Sequence, residues 1–149
     1  MPGKGPLNYT TTVSADKSAM ECISILIKHG AKNVGMSLGE DRVPDGLDFV
    51  VSTPWGLQQY SLPINMSGTE KALKQAWRDG RIDPRFTSPE HARRVAWRVI
   101  KDWLESQLAL VEAGVADLPQ VMLSFMKVSP DQTMYQAVVE NQMRALEPG

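Results

Sequence analysis

The chain has 149 residues and a mass of 16.5 kDa, with 42% hydrophobic residues, 22% charged residues and a formal net charge of -1. This size and mixture support a buried core and exclude collagen-like, wholly disordered and disulfide-scaffold classes. Cys22 is the one cysteine and has no intramolecular disulfide partner, and two histidines are too few for a zinc site in the usual Cys/His spacings. No apolar run approaches the ~18 residues of a membrane span, and residues 1–6 lead into a polar segment rather than a signal-peptide core. A cytoplasmic protein is expected, folded as a single domain over residues 1–149 with flexible tails at 1–6 and 145–149.

In chain order, residues 7–13 (Leu-Asn-Tyr-Thr-Thr-Thr-Val) are rich in β-formers and alternate Leu7, Tyr9, Thr11 and Val13 on one face, which predicts a strand. Ser14 offers an N-cap to a helix that spaces Ala19, Met20, Ile23, Leu26 and Ile27 at the helical period and stops at Gly30. Residues 33–38, 46–52 and 56–64 read as three further strands in an antiparallel meander, with one sheet face packed and the other partly open.

The second half reads as helical. Residues 69–79 form a short helix, followed by a polar, proline-containing connection over 80–86. Thr87-Ser88-Pro89-Glu90 has the form of a capping box and opens the longest element, which runs for ~25 residues to Gly114. Shorter helices are expected from Leu118 through Met126 and from Ser129 through Met143. The fold class is therefore α+β: a four-stranded, mostly antiparallel sheet in the order β-α-β-β-β, followed by a helical C-terminal half with one long helix.

On a helical wheel, Ala92, Ala96, Val99, Trp103 and Leu110 of the long helix cluster as an ordinary core stripe. A second apolar set, Trp97, Leu104, Leu108 and Val111, lies on another side. It is expected to be covered by a second copy of the chain, making a homo-oligomer with this stripe at the interface.

Charge is polarised along the chain. Residues 71–101 hold nine basic groups against three acidic ones, leaving seven against fourteen in the rest. On the long helix Arg94, Arg98 and Lys101 share one strip beside Trp97, and Arg78, Arg81 and Arg85 precede it in the connection. Several fixed cations on one surface with an aromatic alongside is what a phosphate backbone and a stacking base require. The seven residues are thus candidates for binding single-stranded nucleic acid or a protein partner.

Other constellations carry less. Gly35-Met36-Ser37-Leu38-Gly39 matches the hydrolase nucleophile pattern, but a polar loop follows where that fold needs a helix. Glu40, Asp41, Asp45 and Asp48 miss the calcium-loop spacing and read as a solvated hairpin loop. Cys22 reads as a small buried apolar residue, and His29 as a favourable charge at a helix C-terminus. No catalytic residue, metal site or cofactor is expected, and the chain is read as a non-enzyme.

Residues 8–13, 27–31 and above all 92–105 (Ala-Arg-Arg-Val-Ala-Trp-Arg-Val-Ile-Lys-Asp-Trp-Leu-Glu), followed by Gln-Leu-Ala-Leu at 107–110, resemble small uncharacterised proteins of bacteriophages and prophages. The resemblance covers residues 8 to about 126 and brings no established activity. It implies a phage context, in which such proteins are commonly recombination or replication accessories or inhibitors of host defence. Residues 33–79 are also similar in element order to the core of single-strand annealing proteins, and residues 14–79 to a double-stranded-RNA-binding domain. The function expected is a phage-encoded nucleic-acid-binding accessory acting on single strands. The alternative is a non-enzymatic, anti-CRISPR-like inhibitor that binds a host defence protein complex.

Overall fold

Helix α1 (Ala15–Lys28) starts where Ser14 takes extended backbone and its side-chain oxygen accepts the Lys17 N–H. The computed structural model describes residues 5–39 and 41–146 of the chain. After α1 come three antiparallel strands, β1 (Lys32–Leu38), β2 (Pro44–Thr53) and β3 (Gly56–Pro63), in the spatial order β1-β2-β3. Helix α2 (Met66–Arg78), a 3-10 turn (Pro84–Phe86) and the long helix α3 (Pro89–Glu112) follow. The chain ends in a short α4 (Leu118–Val121), a 3-10 turn (Leu123–Phe125), a small hairpin of β4 (Lys127–Ser129) and β5 (Gln132–Thr133), and α5 (Met134–Leu146). No described helix is long and apolar enough to cross a membrane.

The architecture is α+β, with a main sheet of three strands where four were expected. Residues 7–13 form turns and an unpaired stretch rather than a strand. Asn8 sits at φ 64°, and the Tyr9 and Thr11 N–H groups donate to the Pro6 and Asn8 carbonyls, which breaks the alternation a strand needs. The segment is instead held along α3: Asn8 Nδ2 donates to Asp102 at 2.8 Å, and His91 Nε2 donates to the Tyr9 carbonyl at 2.5 Å. Of the expected tails, Gly5 and Pro6 belong to this turn and Ala145 and Leu146 belong to α5, while residues 1–4 and 147–149 lie outside the described residues.

The sheet packs on one face and is open on the other. Leu47, Phe49 and Val51 of β2 and Tyr60 and Leu62 of β3 point into the core, and Phe49 stacks on its cross-strand partner Tyr60 with ring centroids 5.3 Å apart. Glycine is required at position 46, where a Cβ would meet Ser37 Oγ at 2.6 Å and the Leu62 carbonyl oxygen at 3.0 Å. Ser37 is thus a strand residue of β1, not a serine on a strand-to-helix turn. The outer edge of β3 is bridged by Met126 through Tyr60, and β1 forms the other edge, with Asn33 at φ 51° and two breaks in its register.

The long helix lies between two apolar clusters. Trp97, Leu104 and Leu108, each at most 1% exposed, join α1 and the sheet in the main core, and Ala92 and Val95 pack with Leu73 of α2 in the second. Both wheel stripes are therefore buried in part: Ala92 and Ala96 of the expected core stripe are buried, but its largest members are not. Leu110 of the expected core stripe is 39% exposed, and Trp103 is only half-buried, edge-on to Phe125. The stripe assigned to an oligomer interface is the chain's own core, with Val111 packed at its margin. The sheet selects it: the indole N–H of Trp97 donates to the Pro44 carbonyl at 2.7 Å, a contact 53 residues away along the chain.

Three helix starts also differ from the sequence reading: α2 begins at Met66, with the Asn65 side chain accepting the Gly68 N–H, rather than at Thr69. Pro89 occupies the first turn of α3, so Ser88 is the cap and accepts the His91 N–H, while Glu90 reaches Arg94 instead of closing a box with Thr87. A reciprocal capping box does form at α5, where the Thr133 N–H donates to Gln136 Oε1 and the Gln136 N–H to Thr133 Oγ1. That cap delays the last helix to Met134 and leaves the β4–β5 hairpin in the place of its expected first turns. The helix expected from Leu118 gives way after Val121 to the 3-10 turn.

Trp97→Ala is expected to cost about 3–5 kcal/mol in chemical denaturation, and Trp103→Ala clearly less; equal losses would contradict the placement of α3. Burial pushes the Cys22 thiol up to about 12, with Glu21 adding to the effect and Lys101 and Arg98 opposing it. Between about pH 9 and 12 the unfolded thiol therefore gives up a proton that the folded one keeps, and stability falls as pH rises, by up to ~1.4 kcal/mol per pH unit. Burial and Asp117 raise the Tyr60 phenol as well, so both wild type and Cys22→Ala should lose stability in alkali. Denaturation at pH 8 and pH 10.5 should show the smaller loss in Cys22→Ala.

Candidate nucleic-acid interface

The seven candidate residues fall into two groups. Arg94, Arg98 and Lys101 lie on the side of α3 that meets α1, and each has a carboxylate partner. Arg94 pairs with Glu90 at 3.1 Å, Arg98 with Glu21 of α1 at 2.9 Å, and Lys101 with Glu105 and, at 3.9 Å, Glu21. Three cations thus meet three carboxylates. The Lys101 side chain is only 15% exposed, so this strip is a seam between two helices rather than an open cationic face. Trp97, expected to lie open beside it as a stacking platform, is fully buried, and no base can reach it. The aromatic and the cations neighbour each other on α3, but the sheet takes Trp97, Glu21 of α1 takes Arg98 and lies near Lys101, and Glu90 takes Arg94.

Arg78, Arg81 and Arg85 are exposed, in the last turn of α2 and the connection to α3. Helix α2 ends in a glycine C-cap: Gly80 at φ 72° lets its N–H reach the Trp77 carbonyl and the Arg81 N–H reach the Ala76 carbonyl. This turn fixes where Arg81 leaves the helix. Arg81 also pairs with Asp79 at 3.4 Å, and the Arg85 guanidinium lies 4.7 Å over the Phe86 ring.

The same surface contains residues that the sequence reading did not single out. Leu73 and Ala76 bury one side of α2. At about 100° per residue, Lys71, Lys74 and Arg78 then fall together on the opposite side, within about 60° of each other. Trp77 flanks them and is 46% exposed. Lys74 pairs with Glu70 at 2.8 Å, whereas Lys71 and Arg78 form no ion pair among the described residues. Residues 70–86 carry five cations against three carboxylates, Glu70, Asp79 and Asp83. Wheel arithmetic on this shorter helix would have exposed the pattern, since Leu73 and Ala76 already mark its inner side.

Several other titratable groups have partners of their own. Asp41 pairs with Arg93 and ties the β1–β2 loop to α3; of the acidic loop considered for a cation, Glu40 lies outside the described residues. Among the described residues no group of three or more His, Cys, Asp or Glu side chains could hold a metal ion. His29 donates from Nδ1 to the Ile25 carbonyl at 2.9 Å and has Nε2 3.7 Å from Glu112.

A double-mutant cycle on Glu21→Gln and Arg98→Gln should return a stabilising coupling of about 0.5 kcal/mol or more, because the pair is largely shielded from water. Additive losses would show that α1 and α3 are not joined through it. No protein-family model, no curated protein and no solved structure matches the chain, which leaves the geometry of these two cation groups to carry the functional reading.

Proposed function

We propose that the protein binds single-stranded nucleic acid along the outer side of α2 and the connection to α3, as a non-enzymatic accessory of phage recombination or replication in the host cytoplasm. The observation that carries this reading is Trp77, a large indole left 46% exposed beside Lys71, Lys74 and Arg78, with Arg81 and Arg85 continuing the surface. An exposed aromatic on a soluble face costs solvation and offers a π-surface to any base, while the cations supply phosphate contacts in register along a helix and its capping turn. The phage context rests on the resemblance of residues 92–105 and their flanks.

A second reading has its own support at the other end of the sheet. The β2–β3 turn presents Trp55 at 74% exposure, with Leu57 beside it and Leu123 across a small cleft. An apolar patch of that kind fits a protein partner, such as a host defence complex, better than a polyanion.

Titration of a labelled single-stranded oligonucleotide at two salt concentrations separates the readings. Wild type should bind with affinity that falls steeply with salt. Replacing Arg78, Arg81 and Arg85 together by Gln should lower the slope of log affinity against log salt by about 0.7 per lost contact, about 2 in all. Trp77→Ala should weaken binding by ~1–3 kcal/mol without that change in slope. Absence of any salt-dependent affinity in the wild type would overturn the proposal and favour the protein-binding reading, with Trp55 as its first residue to test.

A further inference from the structure

We infer that the cleft between residues 10–12 and the start of α3 is a binding site for a phosphomonoester. The cleft has a volume of about 480 Å³, room for a phosphate group with a sugar or nucleoside attached. One wall is Thr10, Thr11 and Thr12, in the part of the N-terminal segment that pairs with no strand. Thr11 is fixed by accepting the Val13 N–H at 3.2 Å, and Thr10 and Thr12 are exposed. The opposite wall brings in two guanidinium groups from different elements, Arg85 from the 3-10 turn and Arg94 from α3.

Both arginines have restricted positions. Arg85 lies over the Phe86 ring, which limits its movement without using any of its N–H donors. Arg94 is held by one N–H bond to Glu90 at 3.1 Å, leaving most of its fork for another acceptor. The floor is His91, 5% exposed, whose Nε2 is taken by the Tyr9 carbonyl; the same contact anchors the threonine wall to α3. No carboxylate is among the described residues that line the cleft. Glu90, the acid that reaches Arg94, is 79% exposed and can turn into solvent at little cost when an anion arrives. Two arginines and three threonines lining one cleft match the charge and the several acceptor oxygens of a phosphate dianion better than a planar, singly charged carboxylate.

Arg85 belongs also to the surface proposed for strand binding, whereas Arg94 and the threonines do not, so the cleft is separable from it. The phosphomonoester has two possible sources: the terminal phosphate of a bound strand, or a small phosphate ester taken alone. The test follows backbone amide shifts by NMR during titration with inorganic phosphate, with chloride at matched ionic strength as the control. Saturable shifts at residues 10–12, 85–86 and 91–94 are expected, lost in Arg94→Gln and weakened in Thr12→Val. Thr12 is exposed and Arg94 is tied only to the exposed Glu90, so both substitutions should leave the remaining spectrum in place.

A second arm compares an oligonucleotide carrying a 5′-phosphate with the same strand ending in a hydroxyl. If the strand's end is the source, wild type should prefer the phosphorylated strand about tenfold, a preference lost in Arg94→Gln and kept in Trp77→Ala. Saturable phosphate shifts without that preference assign the cleft to a small phosphate ester. Failure of Trp77→Ala to weaken strand binding would count against the α2 surface alone. Phosphate shifts that do not saturate, that match those in chloride, or that survive Arg94→Gln would overturn the site.

Discussion

The hydrogen bond from the Trp97 indole to the Pro44 carbonyl is the constraint on which the arrangement depends. It joins the middle of the longest helix to the first residue of the central strand, inside a core from which water is excluded. An indole N–H buried without a partner costs roughly 1–3 kcal/mol, so burying this side chain requires the bond. With Trp97 turned toward the sheet, Leu104 and Leu108 follow on the next turns of the same stripe, and Ala92 and Val95 are directed to α2. The rotation of α3 about its axis then determines which cations meet α1.

Charge polarity along the chain is real but does not translate directly into a charged face. Arg98 and Lys101 of α3 are engaged in holding α1, because Glu21 projects from α1 into the same strip and accepts from Arg98 while lying near Lys101. Partly buried, that contact organises the packing of two helices, and its cations are held inward from any large polyanion. The cations of α2 and the following connection have fewer carboxylate partners nearby and remain at the surface.

Local chemistry made much of the fold legible. Ser14 as a cap, Gly30 and Gly114 as helix stops and the two turns of the meander each act within a few residues, and each appears close to its expected place. What was not legible depends on distant partners. A wheel identifies two apolar stripes on α3 without ranking them, since the ranking comes from Pro44, 53 positions away. The β-forming residues at 7–13 alternate correctly, yet Asn8 and the side chains of His91 and Asp102 satisfy that segment outside the sheet. For the candidate site, Arg78, Arg81 and Arg85 were visible as exposed cations. The fate of Arg98 and Lys101 was decided by Glu21, some 80 residues earlier in the chain, and the exposure of Trp77 follows from the burial of Leu73 and Ala76 on the other side of α2.

The two margins of the three-stranded sheet have a consequence for how the protein behaves when crowded with its own copies. An open row of backbone donors and acceptors is a template on which another chain can add strands without limit. At β3 the bridge from Met126 to Tyr60 occupies part of that row. At β1 the left-handed Asn33 and the two breaks in register interrupt the regular spacing of donors and acceptors that a neighbouring strand would need. Neither margin of the sheet therefore offers an uninterrupted template, and the irregularities of β1 work against fibrous self-association.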